Sequence, residues 1–160
     1  MATPTILGTV ASKIPLLSTE LNSLANNAQV LSSVGGSSGV FANVSTSSGG
    51  GGYILGRLHL HLASVGSAFT ANSGVSIWFL NAADGSTYES GSSSITPARA
   101  PDVVMPVIAQ TAAQDVEMVC PMPIGATFKV LAQNYGTGQT FASSGNTLDW
   151  YPTTDTIPSI

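Results

Sequence analysis

The chain has 160 residues, a net charge of −4, and only 8% charged side chains against 43% hydrophobic ones. That composition is too apolar for charge-driven disorder, and four lysines and arginines are too few for a nucleic-acid or anionic-membrane binder. The length suits one domain, and the single cysteine, Cys120, permits neither an internal disulfide nor a cysteine-ligated zinc finger.

Residues 1–15 read as an extended arm, because Pro4 and Pro15 disfavour regular structure. The opening stretch Met1–Leu7 lacks the basic region of a secretory signal, and no apolar run is long enough for a spanning helix. Synthesis in a cytoplasm and a soluble life are therefore expected. A short helix is predicted over 18–28. Leu17, Leu21, Leu24 and Ala28 recur on one helical face, Ser18 or Thr19 can cap it, and Glu20 suits its first turn.

Everything beyond reads as β-structure. Strands are predicted at 29–34 and 39–46, followed by a Ser-Ser-Gly-Gly-Gly-Gly connector at 47–52. The clearest strand is 53–63, where Leu58, Leu60 and Leu62 alternate with Arg57, His59 and His61. Residues 75–82 form the next strand, and Asp84-Gly85 marks a turn from which Thr87–Glu89 can pair back. A Ser- and Pro-rich loop at 90–101 precedes strands at 102–109, 114–120, 126–133 and 146–151. Pro106 places the first of these at an edge or a bulge.

The sum is an all-β chain: an antiparallel β-sandwich of about eight strands, jelly-roll-like, with one short N-terminal helix and an extended N-terminal arm. The sandwich should occupy 16–152 as a single domain, leaving a tail at 153–160.

Candidate chemistry is sparse. His59 and His61 share a strand face at about 6–7 Å, a spacing that supplies half of a zinc site. Asp115 or Glu117 would complete it only through the register of a second strand. The bland alternative is two polar residues on a solvent-facing or subunit-facing strand. Gly35-Gly-Ser-Ser-Gly39 matches a nucleophile-elbow pattern, but a strand rather than a helix follows it. Cys120 lies in an apolar strand, where an inert thiol is the default. The acidic residues form no calcium loop, and no phosphate-binding glycine motif is complete. The expectation is a protein that is no enzyme, with no catalytic residues, no metal and no cofactor.

Trp78 and Trp150 are core residues by default. Trp78, however, alternates with Ile77 and Phe79, so if those two are inside, Trp78 is exposed or at an interface. Trp150 could likewise meet a partner or a sugar. A weakly charged sandwich also has edges to cover, for which a closed oligomer is the usual solution.

Several stretches stand in a telling order. Thr19-Glu-Leu-Asn-Ser-Leu-Ala-Asn-Asn-Ala comes first, then Val75-Ser-Ile-Trp-Phe-Leu with Ala83-Asp-Gly-Ser-Thr-Tyr-Glu-Ser-Gly. Pro121-Met-Pro-Ile-Gly-Ala-Thr-Phe-Lys-Val-Leu-Ala-Gln-Asn and Ala142-Ser-Ser-Gly-Asn-Thr-Leu-Asp-Trp-Tyr-Pro follow. Together, from about residue 19 to 152, they resemble a family of small jelly-roll virion proteins of tailed bacteriophages. The glycine run at 47–52 and Ser86 depart from that family's pattern. The resemblance implies a capsid decoration (cement) protein on the outside of the phage head, made in the host bacterial cytoplasm. It implies a homotrimer whose partner is the major capsid protein, with no nucleic acid and no membrane involved. Contact candidates are Pro4, Ile6 and Leu7 of the arm, together with Trp78 and Trp150. A tail or baseplate component, or a carbohydrate-binding host-attachment module, is the alternative.

Overall fold

Alternation of apolar and polar residues dictates two sheets packed face to face. The structure is a computed structural model, and it describes residues 9–10, 12–34, 39–42, 55–123 and 127–154. In chain order the strands are β1 (Thr9–Val10), β2 (Ile14–Leu17), β3 (Gln29–Leu31), β4 (Val40–Ala42) and β5 (Leu55–Leu62). Then come β6 (Gly74–Ala82), β7 (Val103–Pro106), β8 (Gln114–Pro121), β9 (Thr127–Tyr135) and β10 (Thr147–Thr154).

One sheet runs β2–β10–β5–β8, with β1 continuing the line of β2 along β10. The other runs β3–β9–β6–β7, with β4 beside β3 along the same edge of β9. All pairs are antiparallel. With β1/β2 and β3/β4 each counted as one interrupted strand, this is the eight-stranded jelly-roll order. Every connection crosses between sheets except those within the interrupted strands and the β6–β7 link, which stays in its sheet.

The core lies between the sheets. Leu58, Leu60 and Leu62 of β5 and Leu148 and Trp150 of β10 meet Ile77 and Phe79 of β6 and Phe128 and Val130 of β9. Phe128 stacks on Phe41 at 5.6 Å and takes Phe79 edge-on at 5.6 Å. Gly56 is required here. A Cβ at that position would lie 1.8 Å from Trp150 Nε1, so only glycine lets the indole cross the inner face of β5.

The helix expected over 18–28 does not form. Its backbone bonds span three residues, as turns do: Asn22 N to Thr19 O at 3.0 Å and Ala28 N to Ala25 O at 3.0 Å. Ser23 and Asn27 take left-handed φ values of 57° and 62°, and their amides go to Ala142 O and Asn134 O instead. The leucine spacing was read correctly as burial, since Leu21 and Leu24 reach the core, but tertiary partners claimed the backbone.

Glu20, expected to serve a helix dipole, is a clip between chain segments. Its Oε1 accepts from Ser33 N, Ser33 Oγ and Val34 N at 2.7, 2.6 and 3.1 Å, and its Oε2 accepts from Ser18 N at 2.8 Å. Partial burial would raise its pKa. The hydrogen bonds from Ser33 and Ser18 outweigh that together and hold it at about 2.

The arm and tail also need correction. Residues 9–10 and 14–15 belong to strands paired with β10, and residues 153–154 belong to β10 itself. The rest of the tail and the 47–52 connector lie outside the described residues, as do Pro4, Ile6 and Leu7.

Candidate functional site

The two outer faces differ in chemistry, because the outward-facing positions of each sheet carry different residues. On the β10–β5–β8 face the register sets His61 opposite Asp115 and His59 opposite Glu117 on one side, and His59 opposite Asp149 on the other. Both imidazoles converge on one oxygen: His61 Nδ1 lies 2.7 Å and His59 Nε2 lies 3.2 Å from Asp115 Oδ1. A carboxylate only accepts, so His61 donates its Nδ1–H there, with His59 Nε2 beside it at ion-pair distance. The His61 hydrogen bond, with both neighbouring imidazoles, holds the Asp115 carboxyl below its usual range despite some desolvation.

The other charges on this face are paired as well. Lys13 Nζ lies 3.1 Å from Asp149 Oδ2, whose side chain is buried, and that hydrogen bond raises the lysine pKa. Arg57 Nη1 lies 3.3 Å from Glu117 Oε2. Tyr151 packs edge-on against His59 at 6.3 Å. The register therefore brings together the residues the sequence singled out, as a charge network. Among the described residues no group of three or more His, Cys, Asp or Glu side chains is arranged to hold a metal ion.

The nucleophile candidates fare differently. Gly39, with φ 70°, leads straight into β4, and residues 35–38 lie outside the described residues. Cys120 is buried beside Met122, its Sγ 3.7 Å from the thioether sulfur. Burial, with a contribution from the Asp102 charge, pushes its pKa up to about 11.

The β3–β9–β6–β7 face carries a second apolar cluster outside the core, made of Trp78, Leu80 and Leu131 with Leu31 packed against them. The long β6–β7 connection straps it down. Asp84 Oδ1 accepts from Ser86 N and Thr87 N to start the strap, and Gly85 takes φ 76°. Tyr88 sits under Lys129, whose Nζ is 4.6 Å from the ring centre. Gln29 of β3 then ties the strap at both ends of its amide, donating to Ser92 O at 2.6 Å and accepting from Thr96 Oγ1 at 2.8 Å.

Arg99 locks the return. It reaches Glu89 Oε1 at 2.6 Å, Asp102 Oδ1 at 2.7 Å and Phe79 O at 2.9 Å. Asp102 Oδ2 in turn accepts from Phe79 N at 2.7 Å. Two features of the sequence mark this strap: a connection far longer than most, and one of only four cations within it.

The strap corrects the expectation for Trp78. Ile77 and Phe79 are inside, so Trp78 does face outward, but the chain's own loop covers it. It is 3% exposed and its Nε1 donates to Arg99 O at 3.1 Å. Trp150 is 2% exposed in the inner core. Both rings are thus almost fully covered by the chain's own residues.

Beside the strap the same face holds a concave cavity of about 620 Å³, walled by Ser76, Trp78, Val104, Pro106, Gln133 and Tyr135. Tyr135 is 57% exposed at its rim. No pattern in the sequence pointed to these residues as a group, because they come from three strands and meet only through sheet register.

Comparison with family models, curated proteins and solved structures returns no match to this chain. The strand order defines its class, a jelly-roll β-sandwich.

Proposed function

We propose that the chain is a non-enzymatic structural protein of a tailed-phage particle. In this reading it is a decoration (cement) protein that sits outside the head as a homotrimer and stabilises contacts between major capsid protein subunits. The observation that carries the reading is where the stretches that bear the resemblance fall in the fold. Each contains a residue that ties segments of the jelly roll together.

Asp84-Gly85 turns the chain into the strap. Asn134, fully buried, donates to Leu24 O at 2.9 Å and Gln139 O at 2.8 Å and accepts from the Thr137 hydroxyl. Asn146 accepts from Ala63 N at 3.1 Å and donates to Asn22 Oδ1 at 2.9 Å and Ala142 O at 2.7 Å. The residues that carry the resemblance are thus the ones this scaffold needs, and the family it resembles uses the scaffold as a particle component.

The edges support an assembling role. Among the described residues β7 pairs only with β6 and β8 only with β5, and the two lie next to each other. Neither strand carries a lysine, and Val104 and Val119 are exposed along them. Such edges invite a covering neighbour. On a lattice of identical sites, modest contacts of this kind gain from multivalency.

The test is sedimentation of the purified chain with heads that lack it. Saturable binding at a fixed ratio to the major capsid protein is expected. Binding to tails alone would favour a tail component, and failure to bind either particle would refute the reading.

A further inference from the structure

We propose that the cavity on the β9–β6–β7 face is a binding site for a neutral saccharide unit, a role separate from any attachment to a shell. Its volume of about 620 Å³ falls within the range of about 300–1,000 Å³ typical of ligand sites. No charged side chain lines it, so a neutral ligand fits and an acidic or basic one gains nothing.

The polar groups around it are hydroxyls and amides, which both give and take hydrogen bonds as sugar hydroxyls do. Ser76 is the telling one. It lines the cavity and its hydroxyl hydrogen-bonds to none of the described residues, so that hydroxyl is open to the cavity and can exchange hydrogen bonds with a ligand hydroxyl there. Gln133 adds an acceptor: its Nε2 donates to Asn27 O at 3.2 Å, which fixes the amide and leaves Oε1 available.

Apolar surface for a sugar ring comes from Tyr135, open at the rim, and from Val104 across the cavity. A proline-rich peptide fits less well. Such ligands take a hydrogen bond from a free indole N–H, and that of Trp78 is already given to Arg99 O.

The experiment is an amide chemical-shift titration of the full chain. The probes are neutral disaccharides of gluco, galacto, manno and N-acetyl configuration, with glucuronate and a polyproline peptide beside them. The expected result is saturable shifts centred on Ser76, Gln133 and Tyr135 with at least one neutral sugar and none with glucuronate. Tyr135→Ala and Ser76→Ala should each weaken binding roughly tenfold, while Val119→Ser on the opposite sheet leaves it unchanged. Tyr135 is exposed, so its removal should not unfold the chain, and the spectrum of each variant checks this directly. Silence across the neutral panel, equal binding by both cavity variants and the parent, or saturation by polyproline alone would overturn the proposal.

Discussion

Gly56→Ala adds one methyl group at the most constrained point of the core. The new carbon would sit 1.8 Å from Trp150 Nε1, 2.6 Å from Cδ1 and 2.9 Å from Cε2. Comfortable contacts are about 3.5–4.0 Å, so the indole or the β5 backbone must retreat by well over an ångström. Trp150 is a rigid ring buried on every side and cannot swing away cheaply. Overpacking costs about 1–3 kcal/mol, and an approach this close to a ring that cannot move puts Gly56→Ala at the upper end of that range. The reduced freedom of an alanine in the unfolded chain returns only about 0.4–1 kcal/mol. A net loss of about 2 kcal/mol is expected, which lowers Tm by roughly 4–8 °C in a chain of this size.

Urea unfolding followed by tryptophan fluorescence measures this loss. A cycle with Trp150→Leu isolates its cause: in the smaller background the same methyl should cost less by at least about 1 kcal/mol. A Gly56→Ala chain within about 0.5 kcal/mol of the parent, or an equal cost in both backgrounds, would refute the steric argument.

Three further expectations follow from groups already described. Glu20 has a folded-state pKa of about 2 against an ordinary 4.5, so its stabilising contribution is complete above pH 4.5 and disappears as pH falls through about 2. The stability gap between the parent and Glu20→Gln, read from urea midpoints, should close over that window; a gap independent of pH would contradict it. Cys120, with its pKa at about 11, should resist thiol reagents at pH 8 in the folded chain and react promptly in urea. Equal labelling rates in the two states would count against its burial. Arg99→Lys should fail to restore the strap, since a lysine cannot span Glu89, Asp102 and Phe79 O together. Its readout is a red shift of Trp78 fluorescence and faster proteolysis between residues 83 and 101, and parental behaviour would show that the fork is dispensable.

Much of this fold was legible because its strands keep period two. The β5 alternation of Leu58, Leu60 and Leu62 with Arg57, His59 and His61 gave the strand, its inner face and the shared face of the histidines. Pro106 correctly marked an edge strand. The leucines at 17, 21 and 24 were equally periodic and misled, because burial in a packed turn and burial on a helix leave the same trace in the sequence. Ser23 and Asn27 in left-handed conformations decide against the helix, and nothing in residue spacing reveals them. Strand β2 was hidden for a different reason: Pro15 suggested an arm, whereas an outermost strand tolerates a missing donor. The cavity was invisible because Ser76, Val104, Gln133 and Tyr135 are distant in sequence and meet only when three strands align.

The position of β10 has a consequence for how the chain reaches this state. Among the described residues it is the last strand, yet it lies inside its sheet, between β2 and β5. Until it arrives, β5 lacks its partner on that side and the inward leucines of β2 and β5 have no indole of Trp150 beside them. Contacts between residues as distant as Leu17 and Leu148 make loop closure the slow step, so folding belongs to the millisecond-to-second regime of non-local β topologies. The nascent chain spends that interval with a half-built sheet and bare strand edges. Synthesis rate, temperature and chaperone supply therefore bear on its yield alongside the stability of the finished sandwich.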